Sequence, residues 1–149
     1  MANHYYIISE VLFFDDKDNK ITQDFVSASG IDLSTRCDSI MPSLTEIKKV
    51  LIHIGCETKE LFNQNGRFEI SASQKDNESL WLIFTDIENE DQKISMFEIG
   101  RGSNPDLLIA FVKTLSQTHG RFLYYCDSGS MTLITKDKNI EQIKNEIYS

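Results

Sequence analysis

The stretch from Ile94 to Thr135 constrains the fold most. ISMFEI (94–99) reads as a strand and breaks at Gly100-Arg101-Gly102-Ser103. Asn104-Pro105-Asp106 then opens a helix that runs to Gly120, after which RFLYYC, DSGS and MTLIT read as a hairpin. Leu107, Leu108, Phe111, Val112 and Leu115 share one helical face, and Pro105 has the φ that a first helical turn wants. Strand, helix and hairpin in succession commit the chain to a mixed α/β domain. They also supply the one loop in the sequence that resembles a ligand cradle.

Upstream, YYIISEVLFF (5–14) is apolar on both faces, the pattern of a central strand. Asp15 to Asn19 is a polar turn, and Ile21 to Ser27 is expected to return as the hairpin partner of that strand. Gly30 to Pro42 has no period and reads as a surface loop. Ser43-Leu44-Thr45-Glu46 is a capping box, with Leu44, Ile47, Val50, Leu51 and Ile54 on one helical face. Lys48 and Lys49 are expected to face water, and Gly55 to close the helix. Cys56 to Asn65 suits either a short helical turn or a strand. Phe68, Ile70 and Ala72 alternate with polar residues, SLWLIFTDI is apolar on both faces, and Glu88 to Asp91 turn the chain into KISMFEI. Three strands joined by short polar turns predict an antiparallel meander. Asn139 is placed to cap a last helix carrying Ile140, Ile143 and Ile147.

The resulting order is β-β-α-β-β-β-α-β-β-α. It predicts an α+β fold in one domain spanning residues 1–149: a mainly antiparallel sheet of about seven strands. Two main helices pack mostly on one face, and a short C-terminal helix follows.

Charge limits the partners. Acids outnumber bases 23 to 15, giving a net charge of -8. A nucleic-acid binder needs cations to displace counterions, and an anionic membrane surface makes the same demand. A basic protein is the charged partner this composition favours, because complementary fields speed encounter. The apolar run Tyr5 to Phe14 lacks a basic flank and a small-residue cleavage site, so it does not read as a secretion signal. Cys37, Cys56 and Cys126 show no CxxC spacing and read as free thiols in a reducing cytosol. The expectation is a cytoplasmic protein.

Four constellations could carry chemistry. Gly100-Arg101-Gly102-Ser103 leads from strand to helix start, where outward amides and Arg101 could hold an anion. The loop is neither GxxxxGK[ST] nor a full GxGxxG, and Asp106 already supplies the charge that a helix start favours. Asp127-Ser128-Gly129-Ser130 beside Cys126 suits a hairpin turn better than a nucleophile elbow, because a strand follows it. A thiol dyad of Cys126 with His119 or His53 would need an imidazole within reach of sulfur. Cys126 ends an aromatic strand, and His119 sits favourably at a helix C-terminus. Scattered histidines and cysteines give no metal-ligand spacing, and Asp16 to Lys20 departs from a calcium loop at its third ligand. No metal or cofactor is expected. The densest charge run is Asp86, Glu88, Glu90 and Asp91, either a solvated turn or a docking surface for a basic partner.

The run FEIGRGSNPDLLIAFVKTLSQTHGRFLYYCDSG, within residues 94–135, resembles a pattern in small, acidic, cytoplasmic bacterial proteins. Some of these are immunity proteins that guard the cell against polymorphic toxins. The resemblance implies a non-catalytic protein that binds a cognate basic toxin and covers its active site. It carries over no functional residue. The alternative is a small-molecule binder or enzyme that uses Gly100 to Gly102 for an anionic ligand, and a third possibility is a self-associating structural subunit.

Overall fold

The computed structural model describes residues 3–63, 65–74 and 78–148. Its centre is a seven-stranded sheet in the order β2-β3-β4-β5-β1-β6-β7. The strands are β1 Tyr5–Ser9, β2 Glu57–Phe62, β3 Phe68–Ser73, β4 Ser79–Phe84, β5 Met96–Ile99, β6 Phe122–Cys126 and β7 Met131–Ile134. The helices are α1 Glu10–Asp15, α2 Lys20–Ser29, α3 Leu44–His53, α4 Pro105–His119 and α5 Ile140–Tyr148. All neighbouring strands are antiparallel, so the α+β expectation holds, as does the β3-β4-β5 meander. β1 lies between β5 and β6 and is antiparallel to both. β5 and β6 are therefore parallel to each other, and α4 is the crossover that joins them.

One face carries most of the core. Ile7, Phe68, Ile70, Leu80, Leu82, Phe84, Phe97 and Ile99 point to it from the strands. Leu44, Ile47 and Leu51 of α3, the apolar stripe of α4 and Ile143 of α5 cover it. The capping box forms as expected: Ser43 Oγ accepts from the Glu46 amide, and Glu46 accepts from the Ser43 amide. Asn104 and Asn139 cap α4 and α5 in the same way, each accepting an amide three residues on.

Three expectations fail. The run Tyr5 to Phe14 is not one strand: β1 stops at Ser9, whose hydroxyl accepts from the Val11 amide and starts α1. An apolar run on both faces fits a buried strand and a buried helix equally, and here tertiary packing divides it. Ile21 to Ser27 is helix, not strand. Asn19 accepts from the Ile21 amide at 2.8 Å, and Gly30 closes α2 in the left-handed region at φ 68°. The helices are also not confined to one face. Phe13 of α1 and Phe25 of α2 stack with centroids 4.2 Å apart and join Ile8 and Leu123 in a second core on the opposite face. The seventh strand is β2, drawn from the ambiguous stretch 56–65, of which Gln64 lies outside the described residues.

The second core covers only the β1-β6-β7 side. Cross-strand pairing places Leu61, Glu69, Ile83 and Glu98 in one row on the uncovered remainder of that face. Trp81 lies in the adjoining row, opposite Ser71. Among the described residues, no helix is long and apolar enough to cross a membrane.

Candidate functional site

Two regions need comparison, one at each end of β4. At the Phe84 end, the chain from Asp86 to Lys93 is a docked loop with its own bonds, more than a bare hairpin tip. Asp86 takes φ 57°, a left-handed conformation that aspartate tolerates better than most residues. The Ile87 amide donates to the Gly66 carbonyl at 2.9 Å, and the Ile87 side chain is buried. Gln92 ties the loop internally: its Nε2 donates to the Asp86 carbonyl, and its Oε1 accepts from the Glu88 amide, both at 2.8 Å. Asn89 accepts from the Asp91 amide at 3.0 Å.

The loop also closes the start of α3. The Thr45 and Leu44 amides donate to the carbonyls of Glu90 and Gln92. A helix start leaves such amides unpaired, so each bond satisfies a donor that would otherwise need water. Lys48 reaches from α3 to Glu90 at 2.6 Å and to Glu60 at 2.9 Å, with its ammonium 5.1 Å from the Phe68 ring centroid. Its side chain is only 15% exposed, which corrects the expectation that it faces water. Burial works against the Lys48 charge, but the hydrogen bonds to Glu90 and Glu60 prevail and raise its pKa.

The four acids singled out in the sequence therefore divide. Glu90 is paired with Lys48, although its own side chain is largely exposed. Asp86, Glu88 and Asp91 are exposed and take part in no ion pair among the described residues.

At the Ser79 end, Gly100 to Ser103 forms part of the wall of a cleft of ≈ 690 Å³. The loop is not a free nest of amides. Gly100 N–H donates to the Trp81 carbonyl and Asn104 N–H to the Ser79 carbonyl, both at 2.7 Å. Ser103 Oγ accepts from the Trp81 amide and donates to the Gly100 carbonyl. Gly100 is buried while Arg101 and Gly102 are exposed. Trp81, Tyr5, Tyr124 and Tyr148 supply aromatic surface, and Arg67, Arg101, His4 and Glu98 the charge. Burial pushes the Tyr124 hydroxyl pKa up strongly, with Tyr148 adding to it.

The histidine and cysteine candidates are committed elsewhere. Cys126 is buried, and its sulfur lies 3.1 Å from the Ser128 hydroxyl. His119 is also buried, its Nδ1 2.8 Å from the Ile40 carbonyl and its Nε2 3.1 Å from Glu46 Oε2. It links α4, α3 and the 30–42 segment, a tie between residues 79 apart that no local pattern announces. Glu10 was missed in the same way: its buried carboxylate holds the backbone and guanidinium of Arg121. Among the described residues, no three metal-ligating side chains cluster.

Glu46 gives a pH prediction. Its hydrogen bond from the Ser43 amide, with His119 and Lys93 nearby, holds its pKa below the usual carboxylate value. A depressed carboxylate stabilises above its unfolded pKa and loses that contribution as pH falls through the folded value. At neutral pH, Glu46→Gln should cost about 0.5–1 kcal/mol, a capping-scale figure kept small because the side chain is 40% exposed. Urea denaturation should show the two proteins converging as pH falls below the ordinary glutamate range. A gap that persists undiminished there would refute the assignment.

The chain matches no protein-family model, no curated protein and no solved structure.

Proposed function

We propose that this protein is a non-catalytic binding domain whose Asp86–Asp91 turn docks a basic protein. Its most concrete form is an immunity protein that covers the active site of a cognate toxin. The observation that carries this reading is a rigid loop bearing free charge. Backbone and side-chain bonds fix the turn against α3 and Gly66, while Asp86, Glu88 and Asp91 are exposed and make no ion pair among the described residues. A preordered acidic surface loses little conformational entropy on docking. Its field also speeds encounter with a cation-rich partner, an effect that salt removes. The net charge of -8 acts in the same direction. The uncovered sheet face beside the turn offers Leu61 and Met96, 61% and 46% exposed, as apolar contact area next to the charge.

The test is capture from native extract on the immobilised protein. A stoichiometric partner of basic composition should be retained and then released as salt rises above about 0.15 M, where screening shortens to about 8 Å. The reading fails if nothing stoichiometric is held, or if the partner is acidic and indifferent to salt.

A further inference from the structure

The cleft at the opposite end of β4 has a different character from the acidic turn, and we propose that it binds a small planar anion: an aromatic ring bearing a phosphate or carboxylate. The inference goes beyond the partner reading and does not depend on it.

Its basis is how Trp81 is held. Trp81 stands opposite Gly100 across the β4-β5 ladder, and a Cβ on Gly100 would fall 2.3 Å from indole Cδ2 and Cε3. The ring therefore lies in the space that any side chain at position 100 would fill. Its Nε1 donates to Glu69 Oε1 at 2.7 Å, which fixes the ring in its plane. The residue is nonetheless 38% exposed. An indole backed by the sheet and pinned by a hydrogen bond, with a face toward a cleft, is a preformed stacking platform. Any side chain at position 100 would force the indole out of this place.

The charges around it select the sign of the ligand. Arg101 is exposed and makes no ion pair among the described residues. Arg67 Nε lies 3.4 Å from Glu69 Oε2, so its charge is shared with that carboxylate. The nearby acids are occupied: Glu69 by Arg67 and the indole, Glu98 by His4 at 2.6 Å, and Asp106 by Lys144 at 3.0 Å. Arg101, next to Gly100 opposite Trp81, lies about 17 Å at strand rise from Asp86, twice the physiological screening length, while Arg67 and Ile83 bring the other wall of the cleft nearer the turn. The cleft, of ≈ 690 Å³, thus sets Trp81 beside Arg101, a guanidinium with no ion-pair partner among the described residues, in a volume that suits a small molecule. Stacking on Trp81 and a charge-assisted bond from Arg101 would act together on a ligand that carries both features.

The chain has one tryptophan, so emission excited selectively at the indole, beyond tyrosine absorption, reports on this cleft. The probe is AMP, with adenosine and ribose 5-phosphate as its separated halves. AMP should change Trp81 emission saturably, with each half at least about tenfold weaker, because each loses one of two contacts. Arg101→Ala should weaken AMP about tenfold with an unchanged far-ultraviolet spectrum. Gly100→Val should displace the indole and alter its emission before any ligand is added. The proposal is overturned if AMP gives no saturable change up to about 10 mM. It is equally overturned if Arg101→Ala binds AMP as tightly as the parent. Because Arg101 lies far from the acidic turn, this variant leaves partner capture intact, so the two readings fail separately.

Discussion

Glu10→Ala is expected to lower the free energy of unfolding by about 3 kcal/mol, measured as a shift in urea midpoint at constant slope. The Glu10 carboxylate is 7% exposed and joins α1 to the turn between α4 and β6. It accepts from the Arg121 backbone amide and from the Arg121 guanidinium, whose Nε is 3.3 Å away. The Glu10 amide in turn donates to the Arg121 carbonyl at 3.0 Å. Truncation leaves a buried amide without an acceptor and a guanidinium without its counter-charge, the situation in which removing one partner is most costly. Arg121 keeps 30% of its side-chain exposure, so water recovers part of the loss and places the effect at the low end of the buried-pair range. Glu10→Gln keeps the volume and one acceptor and should cost about half as much. A loss below about 1 kcal/mol for Glu10→Ala would show that the carboxylate is not a structural tie.

Gly120→Ala should be at least as damaging, by about 3 kcal/mol or more. Gly120 adopts φ 81° and ψ -159°, a region that residues with a Cβ essentially never enter. The added methyl would also lie 2.1 Å from Ser39 Oγ, 2.7 Å from Ser39 Cβ and 2.8 Å from Glu10 Oε2. Strain and overlap are separable. Removing the Ser39 side chain with Ser39→Gly should relieve the two closest overlaps and leave the Glu10 contact and the backbone strain, restoring part of the loss. Gly120 and Glu10 share the same small volume, so their effects should not add, with a coupling of at least about 0.5 kcal/mol. Thermal unfolding of the single and double variants measures both terms. Full additivity would mean that the two residues act independently.

These sites show where sequence reasoning stopped. Periodicity identified α3 and α4 because each carries an amphipathic stripe between local caps, Ser43 and Gly55 for one and Asn104 and Gly120 for the other. It failed at 10–15 and 21–27 for opposite reasons. The apolar run into Phe14 has no polar face to set a period, whereas α2 had a readable pair of caps in Asn19 and Gly30 that the turn assignment obscured. The strand order required knowing that β1 inserts between β5 and β6, a pairing across more than ninety residues that no local signal encodes.

The candidate sites divide along the same line. Asp86, Glu88 and Asp91 were visible as a charge run because solvated carboxylates are local in sequence. Glu90 looked identical to them, and only the fold brings Lys48 against it, 42 residues away. Gly100 to Ser103 was visible as a loop, but the Gly100 amide is taken by the Trp81 carbonyl and the following Asn104 amide by the Ser79 carbonyl. The walls of the cleft beside it come from residues 4, 5, 81, 101 and 148, with Trp81 and Tyr5 on opposite faces of the sheet. Glu10 and His119 were overlooked because their partners, Arg121, Ile40 and Glu46, lie on other elements.

The central claim is that this protein acts by presenting a preordered anionic turn to a cationic partner. The most direct measurement is the association rate with the captured protein, for the parent and for a variant carrying Asp86→Asn, Glu88→Gln and Asp91→Asn, across a salt series. The parent should associate at least about tenfold faster at low salt, and the two should converge as screening increases. Unfolding free energies should agree within about 0.5 kcal/mol, because these side chains face water. Equal association rates at low salt, with a partner that still binds, would contradict the claim.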